Sequence, residues 1–219
     1  MACASCVDRV VHTMLTCVVP SDKLDRLPAS RRRSLVVNAA REFASAGYDA
    51  ASLNRVLAEC GMSKSSFYYV LSSKRELFEL VVRELSRSVL DRVEIPAPGD
   101  FARERFWPAV DALLARLGSL AADDEDFRLL GRMFYLSGAP GDPVAGAMAA
   151  IGEWLAGVLA VGRATGAVRD DLPAPLQARL VFAVLRTMDE WGVENAAATE
   201  ADVLAVRAVL ARLIGPEMV

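Results

Sequence analysis

The chain has 219 residues, 53% of them hydrophobic, with 25 Lys plus Arg, 28 Asp plus Glu and a single His. That length allows one large domain or two modest ones with a buried core, and the ordinary charged fraction excludes a disordered or fibrous chain. The lone His12 all but removes His-ligated zinc and Ser-His-Asp catalysis, and the four cysteines are too few for a disulfide scaffold. No run approaches 18 uncharged apolar residues, so no membrane partner and a cytoplasmic location are expected.

Charge is uneven along the chain. Residues 1–29 balance, residues 30–92 hold 11 bases against 7 acids (net +4), and residues 93–219 hold 11 bases against 18 acids (net −7). A basic first module on an acidic larger one suggests that a polyanion meets the first.

Residues 1–29 read poorly as structure. Cys3, Cys6 and Cys17 punctuate the apolar run VVHTMLTCVV, which ends at Pro20. Asp8, Arg9 and His12 interrupt it and no basic start precedes it, so it does not read as a secretory signal. Cys3-x-x-Cys6 has no second Cys pair to complete a tetrahedral metal site. The expectation is a mobile or accessory extension, dispensable for the main activity, with Met14 as another possible start.

From Ser30 the signals sharpen. Ser30 is expected to cap a helix whose apolar positions Leu35, Val36, Ala39, Ala40 and Phe43 share one face, with Gly47 as its stop. Ser52 caps a short second helix carrying Leu53, Val56 and Leu57, ended by Gly61. Ser63 caps a third, KSSFYYVL, and Ser73 with Glu76 forms a capping box at the start of a fourth that is expected to run to about Val93. Two short helices around a Gly-containing turn form a helix-turn-helix, whose second helix enters the major groove. Phe67, Val70 and Leu71 can pack inward, which leaves Lys64, Ser65, Ser66, Tyr68 and Tyr69 outside. Short hydroxyls and a Lys suit base edges, and tyrosine hydroxyls suit phosphates. Lys74 in the first turn of the fourth helix is poorly placed by dipole reasoning, but well placed where a phosphate arrives. Arg31, Arg32 and Arg33 could touch DNA backbone or minor groove, and Ser52 completes the candidate contacts.

Residues 31–82, RRRSLVVNAAREFASAGYDAASLNRVLAECGMSKSSFYYVLSSKRELFELVV, resemble the DNA-binding head of the TetR family of transcriptional regulators. The match runs through Ala39-Ala40 and Phe43, Gly47-Tyr48, Ser52, the turn Gly61-Met62-Ser63-Lys64, Phe67-Tyr68, Ser73-Lys74 and Leu77-Phe78. The resemblance implies phosphate contacts at Tyr68 and Lys74, and contacts with bases or adjacent backbone at Lys64, Ser65, Ser66 and Tyr69. The sequence departs from the family where Val70 and Leu71 replace a frequent His or aromatic, where Ser65 replaces a small Gly or Ala, and where Cys60 replaces a usual Ala. The Val70 change removes one expected phosphate contact.

Beyond Ile95-Pro96-Ala97-Pro98-Gly99, helices are expected at 101–120, 124–137, 143–165, 173–195 and 199–213, with no convincing strand. The acids at 123–126 and 170–171 read as solvated helix ends rather than metal ligands. The last two helices are apolar over more than one face, which argues for a two-fold dimer through Leu180, Val184, Met188, Trp191, Val206 and Leu210. The resemblance implies the same pairing. Phe106, Trp107, Met133, Phe134, Met148 and Trp154 are each ordinary core candidates, and as a group they could line a cavity for an apolar or aromatic ligand, with Arg128, Arg132 or Glu153 as a polar anchor. The resemblance implies an effector site in this region.

The sequence therefore reads as all-α. An extension (1–29) precedes a three-helix helix-turn-helix DNA-binding domain with its linking fourth helix (30–92) and a larger helical effector-binding and dimerisation domain (93–219). The expected function is a ligand-responsive regulator, a repressor released from a palindromic operator on double-stranded DNA by a small-molecule effector, acting as a homodimer and needing no metal or cofactor. A helical sensor or adaptor without DNA binding is the second reading. An enzyme comes last, since no GxGxxG, P-loop, HExxH or usable His is present and no catalytic residue is assigned.

Overall fold

The computed structural model describes residues 27–136, 143–195 and 199–216. The readings on Cys3, Cys6, Cys17 and Met14, and the separators at 138–141 and 196–198, lie outside those residues. Among the described residues there is no strand. The α-helices are α1 (Ala29–Ala50), α2 (Leu53–Glu59), α3 (Lys64–Val70), α4 (Lys74–Leu90), α5 (Phe106–Asp123), α6 (Glu125–Leu136), α7 (Pro143–Ala164), α8 (Ala174–Glu194) and α9 (Glu200–Ile214). Two 3-10 turns, Pro98–Phe101 and Arg103–Arg105, precede α5.

The described chain divides into two compact units. One, the head, holds residues 27–92 together with 126–136 and 143–146; the other holds 93–125, 147–195 and 199–216. Residues 126–136 and 143–146, expected in the larger domain, thus group with the head.

In the head, Leu35, Val36, Ala39, Ala40 and Phe43 of α1 are buried, as their shared face requires. They meet a matching row on α4 that includes Leu77, Phe78, Val81 and Leu85. Phe43 stands edge-on to Phe78 at 5.1 Å, and Tyr48, stacked on Phe43 at 6.1 Å, also stands edge-on to Phe78 at 5.4 Å. Helix α1 starts two residues earlier than Ser30 would set it. Pro28 is the N-cap, its carbonyl accepts from Arg32 N at 3.0 Å, and Ser30 lies inside the first turn. At Gly47 the helix breaks at φ 73°, and the chain turns through Ala51 N–H bonded to the Gly47 carbonyl.

The other unit is built on Phe101, Phe106, Leu159, Val181, Leu210 and Ile214. The helix expected from residue 101 begins instead at Phe106. Pro108 explains this: in a helix interior its ring would clash with the carbonyl of residue 104, so it is tolerated only in the first turn. Residues 146–164 of α7 form a helix long and apolar enough to cross a membrane by length and composition alone. It contains Glu153 and Arg163, and it buries Leu155, Val158 and Leu159 in this core. The turn after α7 hangs on Arg163, which donates to the Leu172 carbonyl at 2.9 Å, the Gln177 side-chain oxygen at 3.0 Å and the Asp170 carbonyl at 3.1 Å. Gln177 is buried, and its amide donates to the Arg169 carbonyl at 2.9 Å, so both ends of this polar side chain are satisfied.

Two glycines of α7 separate packing from propensity. A Cβ on Gly162 would lie 2.5 Å from Val168 and 2.7 Å from the Phe106 ring, whereas one on Gly152 would meet nothing within 4 Å. Gly162→Ala is expected to destabilise by about 1–3 kcal/mol through overpacking. Gly152→Ala is expected to stabilise by about 0.5–1 kcal/mol through helix propensity. Urea unfolding of both variants checks the pair.

Candidate nucleic-acid interface

The motif is α2, a four-residue turn and α3. Ser52 caps α2 by accepting from Arg55 N, and its own N–H donates to Glu42 Oε1 at 2.7 Å. The turn depends on Gly61 at φ 59°, a left-handed conformation costly for other residues; there Met62 N–H reaches back to the Leu57 carbonyl at 2.9 Å. Ser63 then caps α3. Its Oγ accepts from Ser66 N at 3.1 Å and lies 3.0 Å and 2.9 Å from the hydroxyls of Ser65 and Ser66.

Phe67, Val70 and Leu71 are buried, which orients the rest of α3 outward. Lys64, Ser65, Ser66, Tyr68 and Tyr69 are all exposed, the two tyrosines at 56% and 58%. Large aromatic rings held in solvent on a rigid helix are unusual, and they flank a row of hydroxyls and an ammonium. Arg31, Ser65, Ser66 and Tyr69 are brought together around one surface groove, together with Leu27 and Val70.

The remaining candidates are held elsewhere. Lys74 Nζ donates to the Asp49 carbonyl at 3.0 Å and the Ala51 carbonyl at 2.9 Å, and it lies 5.0 Å from the Tyr48 ring centroid. It ties the chain after the Gly47 break to the start of α4. Ser73 caps α4, but Glu76 Oε2 accepts from the N–H of Ser72 at 2.7 Å, one residue earlier than a capping box on Ser73 would have it. Arg32 is half-buried. Arg33, about 200° around α1 from Arg31 by helical geometry, turns away from the groove. Its Nη2 donates to both carboxylate oxygens of Asp126 at 2.9 Å and 3.0 Å.

Asp126 is the residue that sequence reasoning missed. It was read with its neighbours as a solvated helix end, yet it is buried, and Ser88 and Arg92 donate to it as well, at 2.7 Å and 3.1 Å. Burial pushes its carboxyl up, but the bonds from Ser88, Arg33 and Arg92 outweigh that and hold it below the ordinary carboxylate value. Its partner Arg33 is 93 residues away, and no local pattern points to it.

The six aromatic and Met candidates divide between the units. Phe106, Trp107, Met148 and Trp154 belong to one, and Met133 and Phe134 to the head. Phe106 and Trp154 both stand edge-on to Phe101, at 6.0 Å and 5.8 Å, and the Trp154 indole donates to the Pro96 carbonyl. Trp107 carries the Arg207 guanidinium 4.5 Å from its ring centroid. Met133 is buried, while Phe134 and Met148 are half-buried. Of the six proposed interface residues, Leu180 and Trp191 are exposed, and Val184, Met188 and Val206 are half-buried. Leu210 departs from expectation: at 5% exposure it faces its own unit's core beside Ile214. Leu176 and Leu204 are exposed on the same two helices, Leu204 at 63%.

Residues 35–81 match the family model of bacterial regulatory proteins of the tetR family. No curated protein sequence matches the chain. Among solved structures, the chain is similar to a TetR family transcriptional regulator from Chloroflexus aurantiacus J-10-fl, with a TM-score of 0.65 at 18% identity over 90% of this chain and 95% of that one. It is similar to the MbdR regulator from Azoarcus sp. CIB, with a TM-score of 0.63 at 17% identity over 86% and 100%. It is also similar to NalD, the secondary repressor of the MexAB-OprM multidrug efflux pump in Pseudomonas aeruginosa, with a TM-score of 0.62 at 14% identity over 86% and 98%. These likenesses carry the fold, and the matched segment carries the helix-turn-helix of the tetR family of bacterial regulatory proteins.

Proposed function

We propose that the chain is a homodimeric repressor that binds a palindromic DNA operator through α3 and is released from it by a small apolar or aromatic effector. The observation that carries the DNA half is the outward row Lys64, Ser65, Ser66, Tyr68 and Tyr69 on a helix whose other face is buried, with Arg31 beside it. Ser65, Ser66 and Tyr69 are assigned to base edges and adjacent backbone, and Lys64, Tyr68 and Arg31 to phosphates. Lys74 has a third ammonium proton beyond its two carbonyl bonds, and that proton is assigned to a phosphate at the start of α4. Ser52, whose hydroxyl caps α2, is assigned as a further contact. Arg33 leaves it, since its guanidinium is committed to Asp126.

The dimer half rests on Leu176, Leu180 and Trp191, which follow one another along α8 at helical spacing, and on Leu204 of α9. A second copy covering them in a two-fold contact removes that apolar surface from water. The effector half rests on Phe106, Trp107, Met148 and Trp154, which belong to one unit, with ligand binding shifting α4 and so the separation of the two recognition helices.

Selection from randomised duplex DNA is expected to recover a palindrome whose half-sites lie about one or more helical turns apart. Recovery of nothing from a folded dimer would favour the sensor or adaptor reading. Against the recovered site, Ser66→Ala or Tyr69→Ala is expected to cost about 1–3 kcal/mol and relax base preference. Lys64→Ala is expected to weaken all DNA alike and reduce the salt slope by about one. Lys74→Met is expected to do the same and to lower head stability by about 1 kcal/mol through its lost carbonyl bonds, read by urea unfolding. Leu180→Asp is expected to yield monomers in sedimentation equilibrium; an unchanged dimer would move the interface off α8.

A further inference from the structure

The chain leaves the head unit after Arg92 and returns to it at Asp126. Those two residues are bonded to each other, Arg92 Nη2 donating to Asp126 Oδ2 at 3.1 Å. The same carboxylate takes Ser88 of α4 at 2.7 Å and Arg33 of α1 at 2.9 Å and 3.0 Å. Arg92 is itself braced, its Nε donating to the Ser88 carbonyl at 2.8 Å and its Nη2 to the Ser88 hydroxyl. One buried acid therefore fastens three stretches of chain together: the first turns of the head, its last turn, and the segment that re-enters it.

We propose that Asp126 is a positioning residue for DNA binding: its carboxylate clasps the exit and return points of the chain to the first helix of the head, and operator affinity depends on that clasp. The proposal rests on the DNA-binding reading above. Asp126 cannot serve DNA directly, because a carboxylate repels phosphate. Its effect runs through α1, whose Arg31 lines the groove at α3 on the side opposite Arg33. A displacement of the chain at Val93 or Glu125 must then either carry α1 with it or break charge-assisted bonds to a buried carboxylate. Such an all-or-none choice lets a change outside the head alter DNA affinity, and by linkage DNA favours the clasped state to the same extent.

The test uses the full chain and the selected operator. Asp126→Asn keeps the volume and removes the charge. It is expected to lower operator affinity about tenfold, within the usual range of coupling between sites, while leaving the slope of log affinity against log salt unchanged, since no phosphate contact is lost. Arg92→Gln should lower affinity in the same direction, and the double variant should be no weaker than Asp126→Asn alone. If Asp126→Asn does not fold, Ser88→Ala and Arg92→Gln carry the same measurement. Binding within about twofold of wild type would overturn the proposal, because the coupling would then be too small to act. So would tighter binding with a steeper slope, which would mean that Asp126 merely withholds Arg33 from phosphate. Affinity losses that track losses in head stability across the series would also overturn it, reducing the clasp to ordinary structure. A wild-type chain that binds no duplex at all sinks the regulator reading and this proposal together.

Discussion

A seven-residue helix has no stability of its own in water, and both helices of the DNA-binding motif are that short. Everything they do therefore depends on the seam between α1 and α4 against which they are pressed. Phe43 and Phe78 meet edge to face in that seam, with Tyr48 closing it, and Val56, Leu57, Phe67, Val70 and Leu71 bury into the head around them. Truncating a buried Phe of this kind costs about 3–5 kcal/mol, a large part of what holds a small domain folded. The caps at Ser52, Ser63 and Ser73 trim the helix ends, and Gly61 sets the angle between them. The outward row on α3 is thus a consequence of what its inner face buries.

Two charged side chains make the head's loose ends part of that seam. Lys74 bonds two carbonyls 23 and 25 residues before it, which fixes the chain where α1 breaks. Asp126 does the same for the far end, gathering Arg33, Ser88 and Arg92. Both act between segments distant in sequence, and both satisfy polar groups that would otherwise compete for water or for DNA. In the other unit Arg163 plays the corresponding part by holding the turn before α8 through four oxygens, the Arg169 carbonyl among them. In each case a long cation or a buried acid organises a chain reversal that apolar packing alone would leave unspecified.

The pattern of what the sequence revealed follows from the range of each interaction. The head was legible because its signals are local. Apolar positions at helical spacing gave Leu35 to Phe43 as one buried face, and Ser52, Ser63 and Ser73 mark helix starts by bonds to residues three further on. Local chemistry also misled by small amounts. Ser30 looked like a cap, but Pro28 began the helix because proline loses nothing by lacking an N–H there. Pro108, tolerated only in a first turn, sets the start of α5 at Phe106 and not at residue 101. Asp126 was not legible, because a buried acid and a helix-end acid are identical until a partner 93 residues away is placed. Leu210 was misjudged for a related reason: on a helix apolar over several faces, composition does not say which face meets its own core.

The account as a whole stands on α3 meeting DNA with the face that its burial leaves outside. Amide hydrogen exchange on the full chain, with and without mixed-sequence duplex at low salt, tests that most directly. The account predicts slowed exchange concentrated at residues 61–71 and at the first turns of α1 and α4, with α8 and α9 unchanged. Unchanged exchange across α3, or protection confined to the C-terminal helices, would contradict it.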